Sequence, residues 1–205
     1  MAKKLKIVEL YAGTGRSVQP FLQWKKVAPP LLLDVNAYAA EVYKHNFPNA
    51  NYSTLDLKKT SSNNISSLAG GNVDILLGCP PCQGYSDTGS RKPRDPRNSH
   101  ITQFSKFVSD LKPLAIGMEN VPLLAESSRF DAFINEIESL NYRWTASIVN
   151  AALYGSCQSR QRLIFVAIRK DVGVQPQFSD PQFDRDMNFN FKICPQLRTL
   201  IIYLG

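Results

Sequence analysis

The chain has 205 residues, 43% of them apolar, and a formal net charge of +7 from 24 Lys plus Arg against 17 Asp plus Glu. That length suits one ordinary domain with a real core and excludes a disordered chain, while the basic excess favours a polyanionic partner. Four cysteines in a chain this long do not make a disulfide scaffold, so reduced thiols and a cytoplasmic setting are expected. Lys3, Lys4 and Lys6 precede only a strand-length apolar run, so no signal peptide is expected. No stretch approaches the ~18 apolar residues of a membrane span, and no membrane association is expected.

Ile7 to Tyr11 reads as a first buried strand. It runs into the tight turn Ala12-Gly13-Thr14-Gly15, where glycines let the backbone approach a ligand closely, and then into a helix through Phe21 to Trp24. Leu31 to Leu33 is a second strand ending in Asp34, 19 residues after Gly15. In nucleotide-type folds an acid at that spacing binds ribose hydroxyls. With no third glycine, a plain strand-to-helix turn is the simpler reading of this pair by itself. Ala37 to Phe47 has helical spacing, with Ala40, Val42 and Tyr43 available for packing, and Pro48 stops it. Tyr52 to Leu57 reads as a third strand with Asp56 at its end, and Ser61 to Gly71 as a polar connection or short helix.

Val73 to Leu77 is another buried strand, followed by Gly78-Cys79-Pro80-Pro81-Cys82-Gln83. The Pro-Pro pair ends the strand, since neither residue can donate to a ladder. Cys82 therefore falls just past a strand end, at the rim where parallel sheets place ligands, and is read as a nucleophile. Ser86 to His100 follows, with Arg91, Lys92, Arg94 and Arg97. Such a basic loop is either a solvated face or a segment that closes over a phosphate backbone. Phe104 to Leu111 reads as a helix, and Leu114 to Met118 as a strand that delivers Glu119 to the same rim. Arg129 to Leu140 repeats apolar residues at helical spacing. Thr145 to Val149 and Leu163 to Ile168 are two further strands; before the second, Arg160 and Arg162 alternate and so face one side. From Lys170 onward the pattern decays, and only Leu200 to Leu204 has strand character.

Strands alternating with helices predict an α/β layer fold with a mostly parallel sheet. Gly13, Asp34, Asp56, Cys82 and Glu119 all fall at carboxyl ends of strands, and five independent loop residues are not expected to share one rim by chance. Cys79-x-x-Cys82 also has the form of a zinc half-site or redox pair. With Cys157 and Cys194 apart and His45 and His100 isolated, no metal is expected.

These motifs, in this order, resemble the DNA (cytosine-5)-methyltransferases over roughly Ile7 to Arg169. Glu9-Leu10-Tyr11-Ala12-Gly13-Thr14-Gly15 is similar to that family's first S-adenosylmethionine motif, Pro80-Pro81-Cys82-Gln83 to its nucleophile motif, Glu119-Asn120-Val121 to its second catalytic motif and Gln158-x-Arg160-x-Arg162 to its third. The resemblance implies a Rossmann-like S-adenosylmethionine-dependent fold with helices on both faces of the sheet, incomplete at the C-terminus. It implies a catalytic domain over residues 1–169 and an irregular tail over 170–205, where a linker to a target-recognition domain would begin. It implies that Cys82 adds to cytosine C6, that Glu119 holds N3 and the exocyclic amine, and that Arg160 and Arg162 hold the base or the catalytic loop. Tyr11, Ala12, Gly13, Thr14, Gly15, Asp34, Asp56 and Pro80 would hold S-adenosylmethionine, with Asp34 at the ribose, Asp56 near the adenine and Tyr11 stacked on it.

The implied substrate is DNA in a restriction–modification system, with transfer RNA as the alternative. Arg16 stands where the family usually carries glycine, and His100 where it often carries an apolar residue. The family's recognition domain, its closing cofactor motif and its last helix are not recognisable after Arg169. A split enzyme completed by a second polypeptide, a truncated gene product and a cofactor-binding fragment are therefore all open. Each leaves an apolar sheet face exposed, so the chain alone is expected to be marginal or associative.

Overall fold

The computed structural model describes residues 3–48, 51–82 and 99–181. The basic loop with Arg91, Lys92, Arg94 and Arg97, and the strand expected at Leu200 to Leu204, lie outside the described residues. Within them is a seven-stranded sheet whose strands are β1 (Ile7–Leu10), β2 (Leu31–Asp34), β3 (Asn51–Thr54), β4 (Ile75–Gly78), β5 (Ala115–Asn120), β6 (Tyr142–Asn150) and β7 (Gln161–Arg169). The order across the sheet is β3-β2-β1-β4-β5-β7-β6. β3 to β5 in that order pair in parallel, and β7 runs antiparallel to both β5 and β6. The helices are α1 (Ala37–Asn46), α2 (Ser62–Leu68), α3 (Ser99–Leu111) and α4 (Ser128–Ser139).

Local chemistry explains most boundaries. Asn36 caps α1, its Oδ1 accepting from the backbone N–H of Tyr38 at 3.0 Å and of Ala39 at 3.3 Å. Ser61 and Ser127 cap α2 and α4 in the same way. Of the three residues expected to pack from α1, Ala40 and Tyr43 are buried, but Val42 is 48% exposed. Ala39 takes its place, because the buried stripe of this short helix runs through residues 39, 40 and 43. The segment expected as a helix through Phe21 to Trp24 is only a 3₁₀ turn, Gln19–Gln23, with Pro20 near its start. Ser61 to Gly71 resolves in favour of a helix.

The period-two alternation of the strands sorts side chains onto two unequal faces. One face carries Val8, Leu10, Leu76, Ile116, Met118, Leu163, Phe165 and Ala167, packed against α2, α3 and α4 through Ile65, Ile101, Phe104, Phe107, Val108, Phe130, Phe133 and Ile137. Phe133 sits edge-on to Phe165 at 5.0 Å between ring centroids. The other face carries Ile7, Leu32 and Leu77 with Val18, Val27 and Tyr43, and its described cover is α1 and the 3₁₀ turn. Among the described residues that cover reaches β1, β2 and Leu77 of β4. Further along the same face the registered rows Leu77–Gly117–Val166–Thr145 and Ile75–Ala115–Ile168–Arg143 continue outward. There Ile75, Ala115, Val166 and Ile168 are only half-buried. Among the described residues this part of the face is the less covered one.

Candidate active site

Because β1 to β5 are parallel, their carboxyl ends lie along one rim, and the loops leaving them bring the candidate residues together. Gly13 follows β1, Asp34 ends β2, Asp56 follows β3, Cys82 follows β4 and Glu119 is the next-to-last residue of β5. Parity then decides which way they face. Glu9 pairs with Leu77, Gly78 with Met118, and Glu119 with Ile164. Glu9, Cys79, Glu119 and Arg162 therefore share the parity of the sparsely covered face, where side chains have room to line a cavity.

Two cavities open at this rim. The larger, about 570 Å³, is lined by Glu9, Tyr11, Ala12, Gly13, Thr14, Arg16, Ser17, Cys79, Glu119, Gln158 and Arg160. The smaller, about 200 Å³, is lined by Cys79, Pro80, Pro81, Cys82, Glu119, Asn120, Val121, Arg160 and Arg162. Of the residues expected to hold a cofactor, Tyr11, Ala12, Gly13 and Thr14 line the larger cavity, while Pro80 lines the smaller one beside Cys82. Gly15, Asp34 and Asp56 are not among the residues lining these two cavities. Asp34 accepts from the Gly13 N–H at 2.8 Å and from the Asn36 N–H at 2.9 Å, so it shapes the glycine turn. Asp56 accepts from the Lys58 N–H at 2.9 Å. Gly15 has φ +75°, and a Cβ there would lie 2.2 Å from the Tyr43 ring, so only glycine fits.

Tyr11 has φ +56°, a left-handed conformation that costs a non-glycine residue energy and clusters at functional sites. Its ring meets His100 edge-on at 5.2 Å, and its hydroxyl lies 3.3 Å from His100 Nδ1. His100, which the sequence marked only as a departure, is thus the partner of Tyr11 at the start of α3. Burial, with Lys58 second, holds the His100 imidazole below its usual range. Arg16 is exposed and reaches the mouth of the larger cavity.

Glu9 is the residue the sequence reading quoted within a motif but assigned no role. It is 1% exposed, and its Oε2 has no hydrogen-bond partner among the described residues. Burial pushes its carboxyl up to about 7, against the opposing bond from Ser17. Only its place one strand residue before the glycine turn could have marked it.

Around Cys82, Asn120 is the organising group. It is 4% exposed; its Nδ2 donates to the Pro80 carbonyl at 2.9 Å, and its Oδ1 accepts from the Val121 N–H at 2.9 Å. This ties the Pro-Pro corner to the end of β5. Cys82 is a free thiol, 6% exposed. Burial pushes it up to about 11, while the Asn120 side chain and the Arg129 charge act in the opposite direction. A thiol waiting with a depressed value is thus not what the free protein holds. Cys79 is free as well. Glu119 is held on both oxygens: Arg162 Nε lies 2.8 Å from Oε1, and Cys79 Sγ donates to Oε2 at 2.8 Å. Arg160 and Arg162 share the smaller cavity, as their alternation suggested. Among the described residues no cluster of His, Cys, Asp and Glu could hold a metal ion, and no helix is long and apolar enough to cross a membrane.

A doubly wound sheet with a free cysteine, a carboxylate and arginines at its carboxyl rim is the arrangement of a Rossmann-like methyltransferase. The chain belongs to the C-5 cytosine-specific DNA methylase family, whose sequence profile matches residues 5–200. It is similar to the Type II methyltransferase M.DdeI of Desulfomicrobium norvegicum, with 31% identity over 86% of this chain and 44% of that protein. It is similar also to the Type II methyltransferase M1.HphI of Haemophilus parahaemolyticus, with 33% identity over 70% of this chain and 40% of that one. A solved structure of a Spodoptera frugiperda DNMT2 mutant matches with a TM-score of 0.69 and 26% identity, over 86% of this chain and 54% of the other. A putative DNA modification methyltransferase of an E. coli prophage matches in fold with a TM-score of 0.71 and 24% identity, over 87% and 52%. The chain spans less than half the length of these curated relatives.

Proposed function

We propose that this chain is the catalytic part of an enzyme that transfers a methyl group from S-adenosylmethionine to C5 of cytosine in DNA, within a restriction–modification system, with Cys82 as nucleophile. The observation that carries this reading is the pair of adjoining cavities. One presents a free thiol, Glu119 and two arginines, and the other is floored by a buried acid with an unpaired oxygen.

The residues of the larger cavity fit the cofactor. A carboxylate oxygen that is buried and unpartnered suits a cation, and the amino-acid end of S-adenosylmethionine carries an ammonium group. Ala12, Gly13 and Thr14 would offer backbone around it, and Tyr11 a ring face. Asp34 and Asp56 would serve the ribose and the adenine. Bound there, the cofactor supplies an electrophilic methyl group.

The chain's own residues do the rest. Cytosine C5 is a poor nucleophile until the ring is activated. Addition of Cys82 Sγ to C6 forms an S–C6 bond, opens the C5–C6 double bond and makes C5 electron-rich. A proton held at N3 through Glu119 absorbs the charge pushed into the ring. Arg160 and Arg162 would steady the base carbonyl and the Glu119 carboxylate by charge-assisted bonds. Loss of the C5 proton then restores the double bond and expels Cys82. Burial raises the Cys82 thiol in the free protein, and Asn120 and Arg129 are the groups that favour the thiolate needed for this addition. The target atom is inaccessible inside a duplex, so the base must be flipped out.

The half-buried rows on β4, β5 and β7 suit a further covering element, either a second polypeptide or chain outside the described residues. The test is transfer of labelled methyl to mixed-sequence DNA, with transfer RNA as competitor and Cys82→Ala as control. Label is expected as 5-methylcytosine and lost in the variant, which should still bind cofactor. Undiminished transfer by Cys82→Ala sinks the covalent mechanism, and preferential labelling of transfer RNA moves the substrate.

A further inference from the structure

Cys79 has no part in the chemistry above, yet it lies in the wall common to both cavities, together with Glu119 and Arg160. Its position is fixed by the sheet. Gly78 is registered beside Leu10 on one side and Met118 on the other, and the Cys79 N–H donates to the Leu10 carbonyl at 3.3 Å. The next residue along each strand then places Cys79 beside Glu119, with both side chains on the sparsely covered face. The thiol donates to Glu119 Oε2 at 2.8 Å while Arg162 Nε engages Oε1 at 2.8 Å. Burial first, and the Glu119 carboxylate second, hold the Cys79 thiol far above its usual range, so it is a donor at any working pH and not a second nucleophile.

The two contacts have different consequences. A guanidinium and a carboxylate left to themselves favour a bidentate pair, in which both oxygens turn to the arginine. A donor on Oε2 from the opposite side stops that rotation and fixes the plane of the carboxylate between the two cavities. We propose that Cys79 is a positioning residue for the reaction: its thiol, by donating to Glu119 Oε2, holds the carboxylate in the orientation that meets N3 of the base instead of collapsing onto Arg162. This rests on the reading of the smaller cavity as the cytosine pocket.

The experiment has two arms, so that the two readings fail separately. The first needs no activity. The S–H stretching band of Cys79 is assigned in the infrared spectrum by its loss in Cys79→Ala. It is expected broadened and shifted to lower frequency in the wild-type chain, and shifted back in Glu119→Gln. A band at the position of an unbonded thiol, unmoved by Glu119→Gln, overturns the proposal. The second arm measures methyl transfer by Cys79→Ala and Cys79→Ser, each first shown to retain the wild-type melting temperature. Loss of one charge-assisted bond corresponds to about tenfold. Cys79→Ala is therefore expected to lower kcat about tenfold with the KM for S-adenosylmethionine unchanged, and Cys79→Ser, whose hydroxyl still donates, to recover most of it. Equal activity in all three proteins, or equal damage in both variants, overturns the positioning role. If the wild-type chain transfers no methyl at all, the enzymatic reading of the isolated chain fails, and the infrared arm still decides whether the thiol holds Glu119.

Discussion

Glu9 carries a carboxyl that has lost its water without gaining a partner for Oε2. Its value of about 7, raised from 4.5, makes a stability prediction with a definite sign. Between those limits the folded state keeps a proton that the unfolded state has released, so stability falls as pH rises from about 4.5 to about 7 and is level above. The loss is on the order of 3 kcal/mol at most. Denaturant titrations of the cofactor-free chain across that window should show it, and Glu9→Gln should flatten it. A wild-type curve as flat as the variant's would mean that Glu9 is solvated. Cys82 makes a second prediction at the same scale. With its thiol pushed up to about 11, alkylation by iodoacetamide should climb about tenfold per pH unit from pH 7 to 10 in the free protein. A plateau already at pH 8 would show a thiolate that burial fails to suppress.

At the scale of elements, the turn after β1 is a tightly packed joint. Gly15 sits at φ +75° with no room for a Cβ between Tyr43 and Leu32, and Tyr11 four residues earlier is itself left-handed. Gly13 is tied to Asp34, and Tyr52 Oη donates to the Gly13 carbonyl at 3.0 Å. The turn therefore links β1, β2 and β3 at one point. Gly15→Ala combines a strained backbone with a clash against buried rings and should cost roughly 2 kcal/mol or more by chemical denaturation. It should also weaken S-adenosylmethionine binding. A variant as stable as the wild type would mean that α1 can retreat from the sheet.

At the scale of the molecule, the sheet is covered unequally. Among the described residues, α2, α3 and α4 seal one face, while the other is covered by α1 and the 3₁₀ turn beside β1 and β2 and is half-buried at Ile75, Ala115, Val166 and Ile168. A mostly parallel sheet ordinarily has both faces covered. The isolated chain should therefore associate as concentration rises, and Val166→Lys, which puts a charge at the centre of the half-buried rows, should shift sedimentation towards the monomer. A wild-type chain that sediments as a monomer at every concentration and melts cooperatively would show that this face needs no partner.

The sequence by itself determined the alternation of strands and helices, because hydrophobic period and capping residues are local. It also placed Gly13, Asp34, Cys82 and Glu119 at strand ends, since the runs before them stop at Gly, Asp or Pro. It singled out Cys82 as the candidate nucleophile, because Pro-Pro-Cys is a short-range constraint. It did not reach Glu9, because an acid inside a short apolar strand has no local sign of being buried without a partner. Nor did it find the bond between Cys79 and Glu119, or that between Tyr11 and His100, whose partners lie 40 and 89 residues apart. Those pairs exist only once strand order and register are set. Tertiary structure also decided that burial pushes the Cys82 thiol up and that Asp34 is tied to the Gly13 turn. Both depend on what surrounds a residue in space, which the sequence around it does not specify.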